Sequence, residues 1–315
     1  MTLKELGEFG LIDRIKAGID IPDGVFGIGD DCAVIPQAGG KDLLVSTDML
    51  IEGTHFLLDD INPYRLGWKS AAVNLSDIAA MGGRPVATFL SFALPEKTDT
   101  KWVDEFFSGY TDISKRYNCP LLGGDTTASP DRVCINVAII GECPSGKALM
   151  RSGAQEGDKI CVTGYLGDAG AGLKVILENA RRNSDAQALI AMHYMPIPRV
   201  DEGLVLSGTE GVHAMMDISD GIASDLRHIL EASHKGAEID VASLPLSDEM
   251  LRCCRRNGWD PVELALTGGE DYELLFTAAP EASIDVKHTV IGRITGSGQL
   301  VWAGTDRDFE GYRHF

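Results

Sequence analysis

The chain has 315 residues, with 28 Lys and Arg against 47 Asp and Glu, a formal net charge of −19. That charge repels phosphodiester backbones and anionic bilayers, which excludes nucleic-acid binding and polybasic membrane anchoring. The length corresponds to about two domains; no run reaches the roughly 18 apolar residues of a spanning helix, and the opening MTLKELGEFG lacks a signal-peptide core, so a cytoplasmic protein is expected.

In chain order, Leu43–Thr47 reads as a strand from its apolar, β-branched run. Asn62-Pro63 offers an N-cap and an N1 proline to a helix running toward Met81, where Gly82-Gly83 stops it. Val86–Leu94 is the next strand, Trp102–Tyr117 a second helix and Val133–Ile140 a further strand. The polar, Gly-rich stretch Gly141–Asp158 marks a boundary, dividing the chain into residues 1–145 and 146–315. Beyond it the pattern predicts strand Lys159–Thr163, helix Asp168–Asn179, strand His213–Asp217 and helix Ser219–Ala232. Strands Tyr272–Thr277, Thr289–Ile294 and Leu300–Ala303 follow. This order fits the α/β (α+β) class, with two mixed α/β domains.

The seven cysteines include no C-x-x-C and the seven histidines no zinc-like pair, so metal-finger and disulfide frameworks lack support. Two glycine motifs invite a nucleotide reading. Gly141–Lys147 (GECPSGK) resembles a P-loop, but Ala148 stands where Ser or Thr is needed and no helix pattern follows, so a turn is expected. Gly164–Gly172 (GYLGDAGAG) lacks the G-x-G-x-x-G spacing and reads as a packing turn, with phosphate contact at the helix N-terminus as the alternative.

The chemistry concentrates in acidic segments. Asp30 and Asp31 follow two glycines in GIGDDCA; Ser46-Thr47-Asp48 closes a strand; Gly123-Gly124-Asp125-Thr126-Thr127 and Asp217-Ile218-Ser219-Asp220-Gly221 repeat the formula. One such cluster alone is equally a cap or a turn. Four together, all hard oxygen donors, suit magnesium with a phosphorylated substrate. On the helix toward Met81, Ser70, Asn74 and Asp77 form a stripe at i, i+4 and i+7, either a solvated face or a buried carboxylate aimed at a cation. Thr267–Glu273 (TGGEDYE) packs three acids into four residues, which requires cations or donors between them unless it is a charged hairpin lip. Phosphoryl transfer needs positioning and electrostatics more than a strong base, and no general base is assigned.

The segments GIGDDCAVI, STDMLIEGTHF, AVNLSDIAAMGGRP, LLGGDTT, LMRSGAQEGD, MDISDGIASDL, TGGEDYELLF and the terminal GYRHF occur in the order found in thiamine-monophosphate kinases. The chain resembles that family, in the superfamily of aminoimidazole ribonucleotide synthetase and selenophosphate synthetase, from Gly7 to Phe315. The resemblance implies transfer of the ATP γ-phosphoryl group onto the phosphate of thiamine monophosphate, organised by several magnesium ions. It also implies an N-terminal domain that dimerises through its sheet, with ATP near the dimer interface, and a C-terminal α/β domain completing the sites. Carried over by position, it implies magnesium ligation by Asp31, Ser46, Thr47, Asp48, Asp77, Asp125, Asp217 and Asp220, while the doublet leaves Asp30 open. ATP contacts are implied at Tyr110, Gly124, Asp125, Arg151 and Ser219, and thiamine monophosphate contacts at His55, Glu270 and Tyr312. Glu270 would hydrogen-bond an aminopyrimidine and Tyr312 would stack on it. Cys32 reads as a small buried hydrophobe and not as the reactive cysteine of a selenophosphate synthetase.

Overall fold

The computed structural model describes residues 2–312, so the last three residues of the GYRHF motif, Arg313, His314 and Phe315, lie outside the described residues. The chain opens with α1 (Leu3–Lys16), capped reciprocally by Thr2 and Glu5 and interrupted at Gly7. Next come β1 (Ala33–Gln37), β2 (Lys41–Ile51), α2 (Pro63–Ala80), β3 (Arg84–Pro95), α3 (Thr100–Arg116), β4 (Leu121–Ser129) and β5 (Cys134–Pro144). The second half contains β6 (Lys159–Val162), α4 (Asp168–Leu177), α5 (Ser184–Tyr194), α6 (Val200–Ser207), β7 (Val212–Asp217) and α7 (Ile222–Ser233). It ends with β8 (Gly236–Asp240), α8 (Asp248–Asn257), α9 (Pro261–Thr267), β9 (Leu274–Ala278), β10 (Thr289–Thr295) and β11 (Leu300–Ala303).

These elements build two mixed sheets. The first is five-stranded in the order β1-β2-β5-β3-β4, antiparallel except for the β3–β4 pair. The second is six-stranded in the order β11-β8-β10-β6-β9-β7, antiparallel except for β11–β8. Residues 145–158 connect them. Successive side chains of the second sheet serve different cores. Ile160 and Val162 pack with Leu226, Ile229 and Leu230 of α7, whereas Cys161 joins the core that reaches α2 and the first sheet. Burial on both faces explains why β6 and β9 read as nearly continuous apolar runs.

The central element is α2. Asn62 caps it by accepting from Arg65 N at 2.8 Å, Pro63 fills its first turn, and Gly82 leaves it in the left-handed region (φ +66°). Almost its whole circumference is buried, as expected of a helix held between layers. One side packs on the first sheet and on α3. There Gly67 and Gly109 bring two backbones together: a Cβ at either would lie within 2 Å of a carbonyl oxygen across the crossing. The other side meets α6 and β7 of the second half. The stripe Ser70-Asn74-Asp77 is therefore not a solvated face, because Ser70 and Asn74 are fully buried.

Three local expectations are corrected. Ser46-Thr47-Asp48 does not close a strand; β2 continues through it to Ile51. The GGDTT segment likewise lies inside β4, held by parallel pairing to β3 despite its weak strand composition. The helix expected from Ser219 starts at Ile222, after Gly221 at φ +96°. The P-loop-like segment is a turn in which Ser145 Oγ and Gly146 N donate to Asp42 at 2.9 and 2.8 Å. Among the described residues no helix is long and apolar enough to cross a membrane.

Candidate active site

Strand periodicity decides which acids converge. On β2, Leu44, Ser46, Asp48 and Leu50 point to the face covered by α2, while Thr47 and Met49 point to the other. Asp77 hangs from α2 over this inner face and accepts from Ser46 Oγ at 2.5 Å. Asp217, at the end of β7, reaches α2 from the second half and accepts from Ser76 Oγ at 2.5 Å. Asp31 comes from the turn before β1; its side chain is 3 % exposed and forms an ion pair with Arg151, whose backbone N donates to Asp30 at 2.6 Å.

The electrostatics show how closely these groups crowd. Burial and then Asp31 push Asp48 up to about 6 and Asp217 up to about 8. Burial, then Asp48, Asp217 and Asp31, drive Asp77 well above its ordinary range. Asp31 Oδ2 is buried with no hydrogen-bond partner among the described residues. Carboxyls that raise one another, one of them with an orphaned acceptor oxygen, are relieved by a divalent cation, and an all-oxygen donor set fits magnesium. Among the described residues no group of three or more His, Cys, Asp or Glu side chains is already arranged as a metal site, so the carboxyls would have to draw closer together to hold an ion. Asp30, raised to about 6 chiefly by burial, is committed to the Arg151 backbone.

A cavity of about 700 Å³ adjoins the cluster. Asp48 and Thr47 line it from β2, and Ser219 and Asp220 from the turn after β7. His55, Glu270 and Tyr312 line it too, so all three expected substrate contacts share one space. His55 sits in the turn after β2 and accepts from Ile51 N at 3.0 Å. Tyr312 N donates to Asp220 O at 3.1 Å, tying the chain end to the acidic turn. Glu270 and Tyr272 both adopt left-handed φ (+67° and +51°), uncommon for such residues and typical of loops held for function.

The three acids of TGGEDYE are separated by their partners, and the segment is not a charged hairpin lip. Glu270 enters the cavity with Lys69 Nζ 2.7 Å and His193 Nδ1 3.1 Å away. Asp271 accepts from Gly167 N at 2.6 Å and Ala169 N at 3.0 Å, occupying the start of α4 where the alternative reading placed a phosphate. Glu273 takes a fork from Arg199 and a 2.6 Å hydrogen bond from Thr163 Oγ1.

Several implied residues do not join the cluster within one chain. Thr47 points its side chain to the outer face, where its hydroxyl accepts from Asn136 Nδ2 at 2.8 Å. Asp125 lies on that same face in register with Ser91, Asn136 and Met49. Its strand stands three spacings from β2, roughly 14 Å. Gly124, beside it, has φ +150°, and a Cβ there would sit 1.8 Å from Leu90 O, so the close approach of β3 and β4 requires it. Tyr110 is a core residue, 1 % exposed, with its hydroxyl donating to Thr88 Oγ1 at 2.8 Å. Within the chain Tyr110 therefore has a packing role.

Sequence reasoning missed Lys69, His193, Ser76 and Asp225. The last is buried in α7 and accepts from Asp220 N at 3.3 Å. Lys69 carried a signal, a cation leading directly into the small, largely apolar run Ser70–Ala80; His193 carried none.

Comparison with known proteins supports the resemblance. The AIR synthase related protein family models match residues 29–143 (N-terminal domain) and 155–302 (C-terminal domain). The thiamine-monophosphate kinase of Escherichia coli K12 is 40% identical over 332 aligned positions, covering 98% of each chain. That of Aquifex aeolicus is 39% identical over 317, covering all of both. A solved structure described as AaThiL complexed with AMPPCP and TMP superposes with a TM-score of 0.93 at 38% identity, covering 100% of this chain and 99% of the other.

Proposed function

The chain belongs to the thiamine-monophosphate kinase family, among the AIR synthase related proteins, and from that premise we propose that it transfers the γ-phosphoryl group of ATP onto the phosphate of thiamine monophosphate. One observation carries the reading: a single cavity has the expected substrate contacts His55, Glu270 and Tyr312 along its wall together with Asp48 of the carboxylate cluster and Asp220. The relative solved with an ATP analogue and thiamine monophosphate supports the same pair of substrates.

Each residue has a physical task. Glu270 accepts from the amino group of the pyrimidine, and Tyr312 offers a ring for stacking on a cationic aromatic substrate. Arg151, whose Nε is buried and lacks a partner among the described residues, presents a donor to phosphate oxygens. Asp31, Asp48, Asp77 and Asp217 would hold magnesium, with Asp220 beside them. When bound, magnesium supplies positive charge that draws triphosphate oxygens to a protein of net charge −19 and offsets charge developing in transfer. The reaction is an in-line exchange: the acceptor phosphate oxygen bonds to the γ-phosphorus as the bond to the β-bridging oxygen breaks, leaving ADP and thiamine diphosphate.

Residues 1–145 and 146–315 act as the two domains of this reading, and the protein works as a homodimer through its first sheet. The outer face of that sheet, opposite α2 and α3, exposes Met49 and Phe89 beside the polar group of Thr47, Asn136, Ser91 and Asp125. An uncovered apolar sheet face is suited to a second copy. A coupled ADP-release assay tests the function: turnover should require both thiamine monophosphate and magnesium, with thiamine inactive as acceptor. ADP release indifferent to the acceptor would overturn it.

A further inference from the structure

Glu270 and Glu273 stand three residues apart in one segment, and their partners differ in kind. Arg199 forks both oxygens of Glu273, which is 4 % exposed; that carboxylate is spent on structure. Glu270 instead meets a point charge at one oxygen, Lys69 Nζ at 2.7 Å, and a ring nitrogen at the other, His193 Nδ1 at 3.1 Å. An ammonium does not span a carboxylate as a guanidinium does, so lone pairs on Glu270 remain available. The side chain keeps 24 % of its surface exposed, and it lines the cavity.

Lys69 is unusual in its own right. Its side chain is wholly buried, a condition lysine tolerates when paired. It projects from α2, whereas Glu270 and His193 belong to the second half of the chain, so the contact bridges the two sheets' layers. The neighbouring Trp68 Nε1 donates to Pro196 O at 2.9 Å, which fixes that part of α2 against the segment following α5. Behind the carboxylate, Glu270 N donates to Ser219 O at 2.7 Å, so the backbone is held as firmly as the side chain.

We propose that Lys69 is a positioning residue for substrate selection: from across the interface between the two halves it aims the Glu270 carboxylate into the cavity as an acceptor for the amino-bearing heteroaromatic ring. This rests on the reading that Glu270 contacts that ring. The charge balance agrees. Burial opposes the Glu270 charge, but Lys69 and then His193 outweigh it and hold the carboxyl below its usual range. Burial and then Lys69 lower His193, so of the two partners Lys69 is the firmer positive charge. Without Lys69 the carboxylate would lose the ammonium 2.7 Å from its oxygen, and protonation or rotation would remove the acceptor.

The test compares Lys69→Met, Glu270→Gln and the double variant by steady-state kinetics, varying thiamine monophosphate and ATP separately. A hydrogen bond to a charged group lost from substrate binding corresponds to a rise in KM of roughly 10- to 100-fold. Lys69→Met is expected to raise KM for thiamine monophosphate by that amount, with KM for ATP changed less than about twofold. In the Glu270→Gln background the same change should add less than about twofold, because the two residues act as one unit. A full additional increase in that background, or equal losses for both substrates, would mean that Lys69 serves only the packing of α2 and would overturn the proposal. If Glu270→Gln itself leaves KM for thiamine monophosphate unchanged, the underlying reading of Glu270 falls and the proposal with it. Should Lys69→Met fail to give folded protein, Lys69→Gln, which keeps a donor without the charge, carries the same comparison.

Discussion

Replacing Asp217 by Asn should make the metal-free protein more stable while abolishing phosphoryl transfer. Asp217 is 3 % exposed, accepts from Ser76 and lies within the field of Asp31. Its carboxyl rises from 3.8 in the ordinary state to about 8 in the fold, so between those values the folded chain binds a proton that the unfolded chain has lost. Stability without metal is therefore greatest at low pH within this window and falls as pH rises toward 8. At pH 7 the cost is on the order of 4 kcal/mol, from about 1.4 kcal/mol for each pH unit above the unfolded value. Asn keeps the shape and an acceptor for Ser76 but carries no charge, so it should recover about 2–4 kcal/mol and raise the melting temperature by several degrees in EDTA. Thermal melts from pH 5 to 8 provide the assay, with and without magnesium and ATP. The wild type should show the downward slope with pH and a large gain on adding the ligands; the variant should show a shallower slope, because Asp48 and Asp77 remain raised, and a smaller gain. A variant no more stable than wild type in EDTA, or one gaining equally from magnesium, would refute the argument that buried repulsion is the driving force for cation uptake.

Three further outcomes are expected. Met49→Asp places a charge on the outer face of the first sheet, and light scattering should show a shift from dimer to monomer, whereas a monomeric wild type would dismiss that interface. Arg199→Met strands the buried Glu273 carboxylate and should cost about 3–5 kcal/mol in urea unfolding, most of it regained in the Arg199→Met/Glu273→Gln double variant. Gly67→Ala drives a Cβ to 1.9 Å from Phe106 O and must part α2 from α3, so a loss exceeding about 2 kcal/mol is expected; an unchanged urea midpoint would show that the crossing yields easily.

Much of the frame was legible wherever side-chain pattern and burial agree. The helix to Met81 announced itself through Asn62, Pro63 and Gly82, and the structure uses all three. Strands with β-branched cores, such as β5, were equally plain. What escaped was held by neighbours more than by composition. β4 runs through Gly123-Gly124-Asp125 because β3 pairs with it, and nothing in those residues favours a strand. The site shows the same division. Alternation along β2 already separates Thr47 from Ser46 and Asp48, so the inward pair could be read from the sequence once the strand was extended. Asp217 and Asp31 meet from distant parts of the chain, and motif order, through the family resemblance, was the signal that joined them. Position in a motif says nothing about which way a helix turns a ring, and Tyr110 with Phe106 and Ile113 forms the buried face of α3. Lys69 was overlooked because a cation inside a helix only acquires meaning when its carboxylate, two hundred residues on, is placed beside it.

The helix α2 has a consequence for how the enzyme can move and how it can change. Across 18 residues it touches both sheets' layers, anchoring Trp68 to Pro196, Lys69 to Glu270, Ser76 to Asp217 and Ala79 to the Gly203 backbone. A rocking motion of one half against the other would disturb the Lys69–Glu270 contact and the acidic end in the same stroke. Drift in this helix therefore cannot adjust fit for the acceptor while leaving the phosphate end untouched. Adaptation to a new acceptor has freer routes along the rim formed by Leu173 and Leu177, exposed apolar side chains of α4 that line the cavity.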